Sequence, residues 1–239
     1  MIFLITAATD MEMQAFLDAI DAQGDQEDTC RLGCQLITGI GPVETTLSLA
    51  GILHKQPEID CVLNFGIAGA YLENDSSIQA GMLDLCLAEQ EVLGDLGVQL
   101  ADTVEPFRGD LPVRDRFVLD PELLATAGRI MRDADIAYKQ GNFVTVNCAS
   151  GTQRRGDQLG RQFHGLCENM EGAAVARVCE AFSMPCLEVR CISNMVEDRN
   201  RENWQIHEAC AEAGRAAAVI AGGLATGFAQ GFAQGVTLG

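Results

Sequence analysis

Between residues 169 and 194 the chain reads Asn169-Met170-Glu171-Gly172-Ala173-Ala174-Val175-Ala176, then an apolar run, then Val189-Arg190-Cys191-Ile192-Ser193-Asn194. No other segment constrains the fold as much. Ala173, Ala174 and Ala176 predict a helix slim enough to lie close on a sheet, so that its first turn is held rigidly. Pro185 then opens a strand over 186–192, and Asn194 falls where the apolar run stops. A carboxylate at a helix start, here Glu171, can accept two hydroxyl hydrogen bonds, which suits a ribose diol. An Asn at the C-terminal end of a strand stands where open α/β sheets bind ligands.

Elsewhere apolar runs alternate with helical patterns. Strands are expected at 2–8, 35–38, 61–65, 83–93 and 143–146. Helices are expected at 11–22, 42–54, 121–132, 153–163, 171–181 and from 204 onward. Pro42 suits a first helical turn, and Asp120 caps the helix behind it. Residues 94–118 are polar, with mixed charges, and read as a long loop, a lid or an oligomer contact. With no internal repeat and no linker, the 239 residues predict one α/β domain over 1–239. Its architecture is a three-layer sandwich, a central mixed or parallel β-sheet covered by helices on both faces.

A net charge of −18 argues against nucleic acid and anionic membrane surfaces as partners, since both call for clustered Lys and Arg. The ten cysteines include no C-x-x-C pair, and His54, His164 and His207 show no metal-ligand spacing. Free thiols in apolar surroundings fit a reduced, cytoplasmic protein. Met1 to Ile5 lacks a basic flank and reads as a first strand, not a signal peptide. The Ala- and Gly-rich stretch 216–232 reads as a closing helix packed on the sheet.

Several residues admit both a plain and a chemical reading. Glu12, in Ala7-Ala8-Thr9-Asp10-Met11-Glu12, fits an acidic first helical turn. Asp10 and Glu12 lie on different helical faces, so one of them points inward. Gly66 and Gly69, in Asn64-Phe65-Gly66-Ile67-Ala68-Gly69-Ala70, allow close backbone approach to a ligand or simply a tight strand-to-helix turn; the spacing is not a dinucleotide fingerprint. Met170 fits core filling as well as contact with a ligand. Arg190, in an apolar strand, requires a carboxylate partner, Glu12 or Glu171. Ser150 and Gly151 follow a strand and can approach a ligand through backbone groups. Cys148 has no histidine near it in sequence.

Three blocks, 7–14, 64–70 and 169–194, together resemble the purine nucleosidase and nucleoside phosphorylase superfamily, and more narrowly its futalosine hydrolases, relatives of the methylthioadenosine/adenosylhomocysteine nucleosidases. The resemblance covers nearly the whole chain. It implies a nucleoside phosphorylase-like fold in which Glu12 activates water as a general base. Gly66, Ile67 and Ala68 would lie near the sugar and the water, and Ser150 and Gly151 near the base. Asn169, Met170 and Glu171 would bind the nucleoside, with Glu171 on the ribose diol and Met170 against the sugar face. Arg190 would support them. No metal or organic cofactor is implied; the partner is a small nucleoside, and a homo-oligomer is expected.

The sequence also departs from its relatives. Adenine-specific nucleosidases carry Asp at the place of Asn194. An Asn amide can donate to N7 or O6 of a 6-oxopurine and stabilise the leaving base by hydrogen bonding, without donating a proton. Phosphorylases of the superfamily hold phosphate with arginines, one of them just before the glycine loop. Here that neighbourhood is Leu63-Asn64-Phe65, and the first arginines are Arg31 and Arg108. The expectation is therefore hydrolysis of the N-glycosidic bond of futalosine, releasing hypoxanthine and dehypoxanthine futalosine in menaquinone biosynthesis. An adenosylhomocysteine-type nucleosidase, a phosphorylase and a catalytically silent nucleoside-binding protein are the alternatives.

Overall fold

All five residues of strand β1 (Phe3–Ala7) are buried, because this strand lies inside a sheet with helices on both faces. The computed structural model describes residues 2–22, 34–74, 78–100, 103–107 and 112–235. Along the chain follow α1 (Asp10–Ala22), β2 (Cys34–Ile37), α2 (Pro42–Lys55), β3 (Cys61–Tyr71), β4 (Leu85–Leu93), β5 (Gly97–Gln99), β6 (Val104–Pro106) and β7 (Arg116–Val118). Then come α3 (Pro121–Asp133), β8 (Lys139–Thr145), α4 (Gln153–Phe163), β9 (Gly165–Asn169), α5 (Gly172–Ala181), β10 (Cys186–Val196) and α6 (Ile206–Gly235).

The eight-stranded sheet runs β10-β4-β8-β9-β3-β1-β2, with β7 beside β4. β10 also pairs with β3, so five of the strands close into a ring. The sheet is mixed: β9 is antiparallel to β3 and β10 to β4, while β1, β3 and β10 run parallel. Helices α1, α3 and α6 cover one face through Phe16, Leu123, Met131 and a row of small residues on α6 that includes Ala213 and Ala217. Phe16 stacks on Phe65, with ring centroids 5.6 Å apart, and ties α1 to β3. Helices α2 and α5 cover the other face through Leu49, Leu53, Val175 and Val178. The small-residue helix behaves as expected, with Ala173, Ala174 and Ala176 all buried. Among the described residues no helix is long and apolar enough to cross a membrane.

Four sequence expectations need correction. The Gly66–Ala70 segment is no turn: β3 continues to Tyr71, because β10 and β9 supply ladder partners for it. Likewise β10 does not stop at 192. It runs to Val196 past an irregularity between Ile192 and Asn194, so Asn194 lies within a strand and a bulge re-aims it. β9 was not foreseen. Its five residues are all buried, yet Glu168 and Asn169 break the apolar run. The region 94–118 holds a two-stranded hairpin, β5–β6, and the edge strand β7; its residues 101–102 and 108–111 lie outside the described residues.

Candidate active site

Thr9 and Glu12 form a reciprocal cap at the start of α1. The Glu12 N–H donates to Thr9 Oγ1 (3.3 Å), while the Thr9 N–H (3.0 Å) and hydroxyl (2.8 Å) both donate to Glu12 Oε2. This is the T-x-x-E pattern that satisfies orphan donors of a first helical turn. It also fixes the carboxylate. Oε1, reaching across to β3, accepts from the Ile67 N–H at 3.0 Å. Glu12 is buried and Asp10 exposed, so the inward choice between them falls on Glu12.

Arg190 sits opposite Gly66 in the β10–β3 register. A Cβ on Gly66 would lie 2.4 Å from Glu12 Oε1 and 2.7 Å from Arg190 Nη1. Gly66 is absent from the cavity wall. Its role is to make room for these two side chains, which replaces the expected ligand contact. Neither side chain is free to yield, so Gly66→Ala should lower stability by about 1–3 kcal/mol, as overpacking does. A urea midpoint unchanged from wild type would contradict this.

The Arg190 guanidinium spends a donor on each of its three nitrogens. Nε donates to Glu188 Oε1 (2.8 Å), Nη2 to Glu171 Oε2 (3.4 Å) and Nη1 to the Ile67 carbonyl (3.2 Å). Of the two expected partners Glu171 is found; the closer one, Glu188, lies two residues back on the same strand. Burial alone would lower the Arg190 pKa, but Glu188, Glu171 and Glu12 outweigh it and hold the charge. Glu171, the N-cap of α5, accepts from the Gly41 N–H at 3.1 Å through Oε1. Burial pushes its carboxyl above the ordinary range, with Arg190 and the Gly41 N–H acting the other way.

Asn169 lines the cavity beside Met170 and Glu171, and most of its hydrogen bonds go to the protein. Its Oδ1 accepts from the N–H groups of Glu171 (2.9 Å) and Gly172 (2.7 Å) and from Thr145 Oγ1 (3.1 Å), and its Nδ2 donates to Glu91 Oε1 (2.6 Å). The side chain caps α5 and so positions Glu171, and one of its two amide N–H donors stays unspent. Glu91, completely buried, is pushed well upward by burial and by Glu188. Neither Glu91 nor Glu188 was singled out from the sequence, where nothing sets them apart from the neighbouring polar residues of their strands.

These groups surround one cavity of about 410 Å³, within the range of small-molecule sites. Its wall brings together Glu12, Ile67, Ala68, Ser150, Met170, Glu171, Arg190 and Asn194, with Trp204, Ile206 and Cys210 as apolar wall. Gly151 is not part of this wall; it is exposed, and its carbonyl accepts from the Arg199 N–H. Ser150 spends both of its donors on Glu168: N–H to Oε1 at 2.7 Å and Oγ to Oε2 at 2.6 Å. Glu168 lines the cavity and was missed; the signal was a carboxylate three residues before Glu171. Burial raises its carboxyl, while the Ser150 bonds and the nearby buried Tyr71 hydroxyl lower it. Asn194 Oδ1 accepts from Ser193 Oγ (2.9 Å), and Nδ2 donates to the Met195 carbonyl (3.2 Å), leaving one amide N–H unspent. Among the described lining residues the one arginine or lysine is Arg190. Arg31 and Arg108 lie outside the described residues.

A family model, the phosphorylase superfamily, matches residues 34–226. A futalosine hydrolase of Thermus thermophilus is 35% identical over 185 residues, 76% of this chain and 77% of that protein. A futalosine hydrolase of Streptomyces coelicolor is 31% identical over 193 residues, 78% of this chain and 77% of that protein. Among solved structures, a Helicobacter pylori 5′-methylthioadenosine/S-adenosylhomocysteine nucleosidase mutant with 5′-methylthioadenosine in its active site shares the fold. Its TM-score is 0.74 at 21% identity, covering 92% of this chain and 97% of that one. The chain belongs to the phosphorylase superfamily.

Proposed function

We propose that this superfamily member hydrolyses the N-glycosidic bond of futalosine, releasing hypoxanthine and dehypoxanthine futalosine on the route to menaquinone. The chain is a nucleosidase, in keeping with relatives named as nucleosidases and futalosine hydrolases. One observation carries the finer reading: the neutral amide of Asn194 faces a cavity whose one described arginine, Arg190, is already tied to Glu188 and Glu171. A phosphate dianion there would lack a free cation, so water is the nucleophile.

In this reading Glu12 takes a proton from water beside the anomeric carbon. Glu171 accepts from the ribose diol, Met170 packs on the sugar, and the free Asn194 N–H stabilises the base as it leaves as an anion and an oxocarbenium-like sugar forms. The base then takes a proton from solvent, and Glu12 returns its proton to solvent. A purine-release assay on futalosine, aminofutalosine, inosine and methylthioadenosine tests it. Futalosine is expected to give the highest kcat/KM. Fastest release of adenine from methylthioadenosine would overturn the choice of substrate.

The raised Glu171 carboxyl adds a pH prediction. As pH falls through its pKa, Glu171 takes a proton and loses one acceptor for the diol. The acid limb of kcat/KM should therefore lie above the ordinary carboxylate range. An acid limb at or below that range would contradict the assigned role.

Two further expectations belong to the same proposal. The exposed apolar residues Ile40, Val43 and Leu47 lie at the start of α2, and Ile40 also lines the cavity. A homo-oligomer would cover them; a monomer in sedimentation at assay concentration would count against it. Cytoplasmic placement fits the nine described cysteines, all free thiols, and cell fractionation followed by the activity assay tests it.

A further inference from the structure

The Asn194 amide favours a 6-oxopurine, and a neighbouring group can sharpen that choice. That group is a carboxylate, and the sheet sets the two side by side. In the register of the ring, Gly69 on β3 pairs with Glu168 on β9 and with Asn194 on β10. All three residues line the cavity. A Cβ on Gly69 would lie 2.9 Å from Val196 Cγ2 and 3.0 Å from Asn194 Nδ2, so the missing side chain leaves room beside the amide. Two strand spacings separate the backbones of Asn194 and Glu168 by roughly 10 Å, room for a purine edge bonded on both sides.

Glu168 is 94% buried, and Ser150 holds it with one donor on each oxygen. Both oxygens act as acceptors, as those of a carboxylate do, and each oxygen has a second acceptor site. From this geometry we infer that Glu168 reads the base, accepting the N1–H of a 6-oxopurine while Asn194 donates to its O6/N7 edge. The lactam form of a 6-oxopurine has a proton on N1. Adenine has a lone pair there, which a carboxylate repels. Glu168 is thus a specificity-determining residue and Ser150 its positioning residue. The inference rests on the nucleosidase reading and narrows its substrate class to purines carrying N1–H.

Binding of free bases tests it without relying on turnover. Calorimetry of the wild-type chain with hypoxanthine, 1-methylhypoxanthine and adenine should favour hypoxanthine over both others. The expected preference is roughly 5- to 150-fold, the effect of one unmet polar group in a buried site. Glu168→Gln offers an amide that can donate to N1 of adenine, so the hypoxanthine-to-adenine preference should collapse. Ser150→Ala, which keeps the carboxylate and removes one of its clamps, should lower that preference partially. Should Glu168→Gln fail to fold, the wild-type series alone decides. Equal binding of hypoxanthine and 1-methylhypoxanthine, or an unchanged preference in folded Glu168→Gln, would overturn the role of Glu168. Glu168-dependent hypoxanthine binding with no purine release from any nucleoside would instead overturn the hydrolase reading alone. Binding of none of the bases would overturn both.

Discussion

Glu12→Gln is expected to lower kcat by roughly 10² or more, the usual scale for loss of a general base, while KM changes far less. The three donors that converge on this carboxylate explain the asymmetry. Thr9 N–H, Thr9 Oγ1 and Ile67 N–H hold it in place, so a side chain of the same shape still fits the wall of the cavity. The glutamine cannot take a proton from water. It also sets its NH2 against at least one backbone N–H, an unmet buried donor that costs about 1–3 kcal/mol of stability. Turnover should therefore be measured on folded protein, confirmed by its unfolding transition. Near wild-type turnover would remove Glu12 as the base.

Arg190→Met should have the largest effect on stability. The guanidinium is 2% exposed and lies among Glu188, Glu171 and Glu12. Removing it leaves buried carboxylates without their cation, a loss of about 3–5 kcal/mol, out of the roughly 5–15 kcal/mol that holds a typical domain folded. Adding Glu188→Gln to the same chain should recover part of that loss, because one uncompensated charge is removed with its partner. Urea unfolding of the single and double variants measures both. A single variant as stable as wild type, or a double variant less stable than the single, would contradict the charge account. Arg190→Lys should also fall short of wild type, since an ammonium cannot reproduce the three-way donation of the fork.

Much of the site was legible because its chemistry coincides with local rules. Glu12 is the fourth residue of a T-x-x-E cap, so the first-turn acid and the carboxylate in the cavity wall are one side chain. Glu171 could be placed because the alanines behind it force α5 close to the sheet. The boundaries that failed did so at glycines and bulges. At Gly66 the missing side chain signalled a turn, whereas it makes space for Glu12 and Arg190 inside a continuing strand. Past Ile192 the polar Ser193-Asn194 pair suggested a strand end, but β3 supplies backbone partners for a further stretch of β10.

The carboxylates that sequence reasoning passed over share one cause. Glu91, Glu168 and Glu188 belong to strands that come together only when the sheet closes into a ring. Two of them find partners well away along the chain: Glu91 meets Thr145 and Asn169, and Glu168 meets Ser150. A one-dimensional pattern shows an acid in an apolar run and not the donor waiting for it. Asn169 shows the converse. Its place beside Met170 and Glu171 suggested a ligand contact; it does line the cavity, and four hydrogen bonds within the protein add a capping role that the sequence did not show.

The most direct test of the central claim follows hypoxanthine release from futalosine while phosphate is titrated from none to saturation. Arg190 is occupied by Glu188 and Glu171, so the account predicts full release without phosphate, a rate indifferent to its addition, and a free sugar product. A saturable rise in rate accompanied by a sugar 1-phosphate would contradict it and make the chain a phosphorylase.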